Sequence, residues 1–550
     1  MKRFISSLLL ISLVLLSACS PPGSSKLQSI DASQVQDLSP EKAESLSLPL
    51  TNIANLNPLL SKNSDYFHFI QLVYEGLFSF EENGNIQPLL AEHYQISQDG
   101  RILSITLKDN VYWQDGEKLT AEDVAMTFNG LKNLPDDSPI LLYLRQCVGS
   151  TQSFNKETFA RAMVFDERNV DIEFDRPYGN MLAMMVFPIL PSHLYTEESL
   201  AQEENFQLMG TGPFQLASYR KNDEIVLEKN PNYYGPKPYI DEIRGKILES
   251  RDHQAQAFDS GQIDLAIFRE YKWDRLRDKA QVRLESYETN KLEILSLNSG
   301  RPIFQGPQGQ ALKKAIASAI NKQKIVDSLY LQQASVAHFL INPKNNPGFF
   351  PENQVYYSTE SSKQVLNQAG FTDTNGDGWL ETPEGDLLQL DIRTNLANNQ
   401  RKTQAEFIQD DLKNIGIRTK IVQMETQEDE WGLFQEDLQA GNFDLAIYGI
   451  EFSIIPDIAS VLYSNARLNF ARLSSPKMDE KLSKLALTQD PVQRKQVLTE
   501  INELFIEDAS YIPLVYKQDI LARDAKISED LNPNMFNIYG GLRDAYISRD

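Results

Sequence analysis

"FDSGQIDLAIFREY", Phe258 to Tyr271, and "LQAGNFDLAIYGIEF", Leu438 to Phe452, are two versions of one phrase set far apart in the chain. Each starts as a helix-like stretch closed by a glycine, Gly261 or Gly441, and passes after two residues into Asp-Leu-Ala-Ile and an aromatic. Glycine suits the left-handed stop of a helix, and the short apolar run suits a strand buried on both faces. Each copy is therefore expected to be an αβ unit, one in each of two lobes. In open α/β sheets ligands sit beyond the carboxyl ends of strands. That singles out Arg269, Glu270 and Tyr271 after one run, and Tyr448 and Glu451 in the other. The competing reading is a chance echo whose polar residues cap strands in solvent.

The chain opens "MKRFISSLLLISLVLLSACS", with two cations, an apolar run from Phe4 to Leu16, and Leu16-Ser17-Ala18-Cys19. The run is short for a permanent membrane span, and its charged start and small-residue end are those of an export signal. The Leu-Ser-Ala-Cys ending resembles the bacterial lipobox, after which Cys19 carries a lipid and becomes the new N-terminus. Residues 1–18 are then a lipoprotein signal peptide and 19–45 a flexible tether, polar and poor in large apolar residues. No later apolar run is long enough to span a bilayer, so the expected location is extracytoplasmic, attached to the bacterial membrane through Cys19.

About 500 residues remain, too many for one core, so two or three lobes are expected. The net charge of -23 argues against nucleic acid and anionic lipid surfaces as partners, which both need basic patches. With Cys19 lipidated, Cys147 has no disulfide partner, and "YLRQCVGS" reads as the setting of a small buried hydrophobe. The five histidines, His68, His93, His193, His253 and His338, show no helical zinc-ligand spacing. No Gly-x-Ser-x-Gly elbow, phosphate-cradling loop or dinucleotide fingerprint occurs. A carboxylate-pair hydrolase stays open among 76 acidic residues, but the chain reads as a non-enzyme.

One further stretch, "FTDTNGDGWLETPEGD", has the register of a calcium loop. Asp373, Asn375, Asp377, the Trp379 carbonyl and Glu384 occupy positions one, three, five, seven and twelve, with Gly378 at the sharp turn. A helix is expected upstream, over "SSKQVLNQAG", but "DLLQLDIRTN" downstream alternates as a strand does. The loop is thus an accessory to the fold, either a structural calcium site or an Asx-rich turn. No other cofactor is implied.

The ordered series "LNPLL" at Leu56, "LVYEGLF" at Leu72, "PLLAEHYQISQDG" at Pro88, "VYWQDGEKLTAEDVAMTF" at Val111, "GTGPFQL" at Gly210 and "NPNYYG" at Asn230 resembles the family 5 extracellular solute-binding proteins. These deliver oligopeptides, dipeptides or nickel chelates to ABC importers, and the likeness runs from about Leu46 to Ala522. It implies an α/β, two-lobed periplasmic-binding-protein-like fold of the large type II kind. "KLEILSLNSG" at Lys291 and "YIPLVYKQDILA" at Tyr511 would be the two hinge crossings. Lobe I would hold 46–80, 196–290 and 508–550, with 81–195 an inserted subdomain, and lobe II would be 291–507. Locally, Thr120 and Asp123 also spell a helix capping box.

Peptide-binding members carry Trp-x-x-Asp-Tyr-x-Asp-Pro, whose first aspartate pairs with the peptide α-ammonium. Here "YGIEFSIIPDI" places Tyr448 at the tryptophan, Glu451 at the aspartate and Phe452 at the tyrosine, while Pro456 before Asp457 departs from the pattern. The resemblance therefore implies a peptide ligand on Glu451, flanked by Tyr448 and Phe452, in a monomer that docks on ABC importer permease subunits. A nickel chelate or other small solute is the alternative. A surface hydrolase and a calcium-dependent structural lipoprotein are readings from other classes.

Overall fold

The computed structural model describes residues 45–204, 206–346, 349, 353–395, 398–422, 430–528 and 531–548. Both copies of the repeated phrase fold as the glycine stop and apolar run dictate. Helix Arg251–Asp259 ends before Gly261 at φ +71°, and helix Glu430–Ala440 ends before Gly441 at φ +74°. Each glycine occupies the left-handed region that a side chain would strain. The strands that follow are Leu265–Phe268 and Leu445–Glu451. The aspartate before each strand repeats its job as well. Asp264 accepts the Ser47 amide at 2.8 Å, and Asp444 accepts the Asp391 amide at 3.0 Å, each clipping its unit to a neighbouring strand. Lys526 and Arg301 neutralise the two carboxylates at 2.9 and 2.8 Å.

The two repeated strands lie in one sheet, a closer relation than one unit per lobe suggests. Its strand order is Leu265–Phe268, Tyr511–Asp524, Val282–Leu297, Leu445–Glu451, Gln389–Thr394 and Arg418–Val422, with Ala334–Val336 also paired to Tyr511–Asp524. The segments expected as crossings are its two longest strands, hydrogen-bonded antiparallel to each other. Because each repeated strand is antiparallel to its crossing neighbour, the two run in opposite directions and their carboxyl ends face one another across the pair. Between Glu288 and Leu292 the register slips, with Thr289, Asn290 and Lys291 set against Lys517 alone. Such a bulge bends a strand and re-aims its side chains, and here it turns Lys291 toward the meeting point.

A mixed sheet of Leu46–Thr51, Glu242–Leu248, Glu224–Lys229 and Phe214–Arg220 and an antiparallel sheet of Ala91–Ile96, Ile102–Leu107, Asn169–Phe174 and Ala160–Val164 share one apolar core. The motifs that carry the resemblance knot this region together. Glu75 is buried and accepts Thr211 Oγ1 at 2.9 Å and Tyr234 Oη at 3.1 Å, while Gln114 bonds the Phe214 carbonyl and the Gly210 amide at 2.9 and 3.2 Å. Thr120 and Asp123 form the expected capping box. A second join ties residues 150–180 to Asp457 and to the two helices Pro476–Leu487 and Pro491–Asp508. Asp457 accepts the Ser150 amide at 2.8 Å, the Ala486 carbonyl accepts the Gly179 amide at 2.8 Å, and Arg494 donates to Asn180 Oδ1 at 2.9 Å. This gives the out-of-pattern Asp457 a structural task.

Candidate ligand-binding site

A cavity of 220 Å³ opens where the carboxyl ends of the repeated strands converge, lined by Arg269, Lys291, Lys517, Glu451, Asp519 and Trp273, with Tyr330 and the amides of Gln333, Gln400 and Gln518 around them. Arg269 follows the first repeated strand, and Glu451 ends the second, directly opposite Lys291 in the strand register. The site is built from sequence positions that only this topology brings together. A larger cavity of 470 Å³ lies beside Glu285, Tyr287, Glu288 and Asn532 and touches neither strand end.

Its charges are arranged in layers. Lys291 Nζ donates to both oxygens of Asp519, at 2.9 and 2.6 Å, and burial holds its ammonium below the usual lysine range despite Asp519. Beneath it, buried Glu293 accepts Lys517 Nζ at 3.1 Å and Arg401 Nε at 2.9 Å. Burial alone would raise this carboxyl, but Arg401 and Lys517 outweigh it and hold it below the usual range. The floor is thus a set of satisfied ion pairs. Glu451 at the rim is exposed and carries no such partner among the described residues.

Of the residues singled out from sequence, the structure brings Glu451 and Arg269 to one cavity. The backbones of Glu270 and Tyr271 begin a short 3₁₀ helix, Glu270–Leu276, and their side chains lie outside the described residues. Tyr448 and Phe452 require a correction, because neither lines this cavity. Tyr448 is 1 % exposed and packs edge-on to Phe470, 5.4 Å between centroids, in the apolar core that also holds Ala446, Ile450 and Phe452. The reason is strand parity: alternate side chains point to opposite faces, so Tyr448 cannot share a face with Glu451. Lys291, Asp519, Trp273 and Tyr330 were not singled out. Both crossing strands carry several polar residues besides Lys291 and Asp519, so the sequence offered no signal that sets these two apart.

The calcium-like loop is flanked by helix Thr359–Gln368 and strand Gln389–Thr394, in the expected order. Asp373 accepts the amides of Gly376 and Gly378 at 2.7 and 2.9 Å, and Asp377 accepts that of Trp379 at 2.9 Å. Ligand-type oxygens of Asp373, Asp377 and Glu381 come within 4.8 Å of one another. Glu384 is exposed and outside that group, whereas Glu381 is buried and bound by Thr374 and Asn375. The loop's own amides bond Asp373 and Asp377 in successive Asx turns. Cys19 lies outside the described residues. Cys147 is buried and burial pushes its thiol up to about 12, in keeping with a packing role. Among the described residues no helix is long and apolar enough to cross a membrane.

Residues 85–468 match the profile of bacterial extracellular solute-binding proteins, family 5 Middle. The oligopeptide-binding protein AppA of Bacillus subtilis (strain 168) is 24% identical over 532 residues, covering 94% of this chain and 93% of its own. The nickel-binding periplasmic protein of Escherichia coli (strain K12) is 24% identical over 484 residues, covering 84% and 87%. The ABC transporter substrate-binding protein CtaP of Listeria monocytogenes shares the fold with a TM-score of 0.75, at 22% identity, over 92% of this chain and 100% of its own. With the profile spanning well over half the chain and the two-lobed fold in common, this chain belongs to family 5 of the bacterial extracellular solute-binding proteins.

Proposed function

We propose that this protein is lipid-anchored through Cys19, captures peptides in the cavity between the repeated strands, and hands them to the permease of an ABC importer. The observation that carries the ligand reading is Glu451, an exposed carboxylate at a strand end with no hydrogen-bonded cation among the described residues, above a floor of satisfied ion pairs. A peptide α-ammonium is the group such a carboxylate takes up, and the attraction strengthens as closure removes water. The oligopeptide-binding name of one relative supports this reading. Titration calorimetry tests it: Glu451→Gln weakens peptide binding by about 30-fold or more, and N-acetylation of the peptide does similar damage to the wild type. Equal affinity for free and acetylated peptide in the wild type removes Glu451 from the role.

The nickel-binding relative favours a metal chelate as the second reading. No histidine is among the described residues that line the cavity, so such a chelate would bring its own ligands, and elemental analysis of the purified protein distinguishes the two. For the anchor, Cys19→Ala leaves a folded protein that no longer enters the detergent phase on partitioning.

A further inference from the structure

We propose that the join at Asp457 is a releasable clasp, closed while the cavity is occupied and opened to let the ligand leave, and that it acts through the segment that also carries Glu451. This rests on the reading that Glu451 takes the ligand. The join ties two apolar cores together. One holds Leu144, Cys147, Tyr178 and Met181, and the other Ile458, Leu482, Leu485 and Val497. Each crossing strand runs from one core to the other. Val282–Leu297 places Tyr287 in the first and Leu292 in the second, and Tyr511–Asp524 places Leu521 in the first and Tyr516 in the second. The bulge at Thr289 to Lys291 lies between those anchor points, where a paired strand bends most readily. Bending there parts the two faces of the join.

The faces are fitted to each other. Gly179 does not adopt a positive φ, so its own loop does not call for glycine; the close approach does. A Cβ there would come within 2.6 Å of Arg494 Nη1 and 2.8 Å of the Leu485 and Thr488 carbonyls. Gly100 is as tight, with a Cβ position 2.5 Å from Gln489 Oε1, and its carbonyl accepts Gln489 Nε2 at 2.9 Å. The fit is close and yet weakly held. Ile455 packs on the first core, while Gly100, Ser150, Gly179 and Asn180 are met through hydrogen bonds, each a modest net gain because water takes their place when the faces part. Against them stands Arg494. Its acceptors are the Leu485 and Thr488 carbonyls at 3.0 and 3.4 Å and Asn180 Oδ1 at 2.9 Å, with no carboxylate among the described residues. Burial lowers this guanidinium to about 10, so its desolvation opposes closure. A polar join with such a charge in it is of the kind that opens. The tie to the cavity is the chain itself. The Phe452 amide donates to the Asn290 carbonyl at 3.1 Å, and Asn290 Nδ2 to the Ser453 carbonyl at 2.8 Å. Residues 452–457 therefore run from the cavity carboxylate past the bulge to the clasp, and a ligand that fixes Glu451 thereby biases Asp457.

The test uses the mature full-length chain with Cys19→Ala, spin-labelled at Leu142→Cys and Val492→Cys, exposed positions on either side of the join. Buried Cys147, its thiol pushed up to about 12, does not take the label. Pulsed electron resonance reads the distance between the labels. Two populations are expected without ligand, and alanine peptides of two to six residues move the balance to the shorter. Gly179→Leu, a wedge in the join, leaves the longer population alone and speeds peptide dissociation about tenfold or more in stopped flow, with little change in association. Gln489→Ala, which removes the Gly100 bond without adding bulk, shifts the balance the same way and keeps the test decisive if the wedge variant folds poorly. A single distance unmoved by peptide and by either substitution is a fixed joint and overturns the clasp. Two populations that both substitutions leave unchanged overturn its assignment to these residues. Peptides that bind by calorimetry without moving the distances overturn the tie to Glu451. Failure of every peptide to bind overturns the peptide reading of the cavity instead, and the distances with and without Gln489→Ala still decide the clasp.

Discussion

Glu75 and Glu293 are both buried carboxylates, 7 % and 1 % exposed, and they respond to burial in opposite ways. Glu75, in the knot of family motifs, is hydrogen-bonded among the described residues by neutral donors, Thr211, Tyr234 and Tyr233, and feels the Lys108 charge only from beyond hydrogen-bonding distance. Burial therefore prevails and pushes its carboxyl up to about 7. Glu293, under the cavity floor, is flanked by Arg401 and Lys517, which outweigh the burial effect and keep it low. The difference teaches that burial does not decide ionisation; the charge of the partner does. The motif region tolerates a neutral carboxyl because its task is packing. The cavity floor needs fixed charges, because Lys517 would otherwise stand unpaired in the site.

The comparison breaks most visibly at Glu293. Glu293→Gln removes the carboxylate that Lys517 and Arg401 share, and removal of one partner from such a set costs about 3–5 kcal/mol. Urea unfolding at neutral pH should show a loss of that order. A change under about 1 kcal/mol would mean that water already screens the set. The acid sensitivity follows with its sign: a carboxyl held low when folded adds stability above its unfolded value, and that stability is lost as pH falls toward the folded value.

Glu75 has the opposite signature. Its folded value lies above its unfolded one, so its protonated form favours the fold at acid pH, and that stability fades as pH rises from 4.5 to about 7. At about 1.36 kcal/mol per unit the swing is about 3 kcal/mol. Glu75→Gln, which cannot ionise, should gain on the wild type by about that much between pH 5 and pH 8, measured as the difference in unfolding free energy. A parallel pH dependence of both proteins would show that Glu75 is ionised without penalty.

A third kind of partner sharpens the contrast. Glu381 is bound by a backbone amide, a hydroxyl and a side-chain amide of its own loop. Replacing it by Ala leaves those donors unmet and should cost about 1–3 kcal/mol, read as a lower Tm. Glu384→Gln, exposed and outside the group, should stay within about 0.5 kcal/mol of wild type. Equal effects at the two positions would return Glu384 to the loop's interior.

Strand parity shows how far the sequence could be read and where the reading stopped short. Tyr448 and Glu451 were grouped by the repeated phrase and again by the family segment, yet three positions along a strand place them on opposite faces. The period-two rule was available in the sequence and would have assigned Tyr448 to the core. No such rule was available for Lys291 and Asp519. They stand 228 positions apart, and their contact exists because two long strands pair in one register and a bulge redirects Lys291.

What the sequence determined by itself was local and periodic: the two glycine-stopped helices, the apolar strands after them, the capping box, and the helix-then-strand flanks of the acidic loop. These follow from backbone preferences and burial patterns that act within a few residues. Only the tertiary structure decided that both repeated strands share one sheet, that their ends face each other, and that Asp519 pairs with Lys291 beside Arg269. The physical reason is that charge pairing depends on distance through space, and strand pairing across hundreds of residues sets that distance without leaving a local mark.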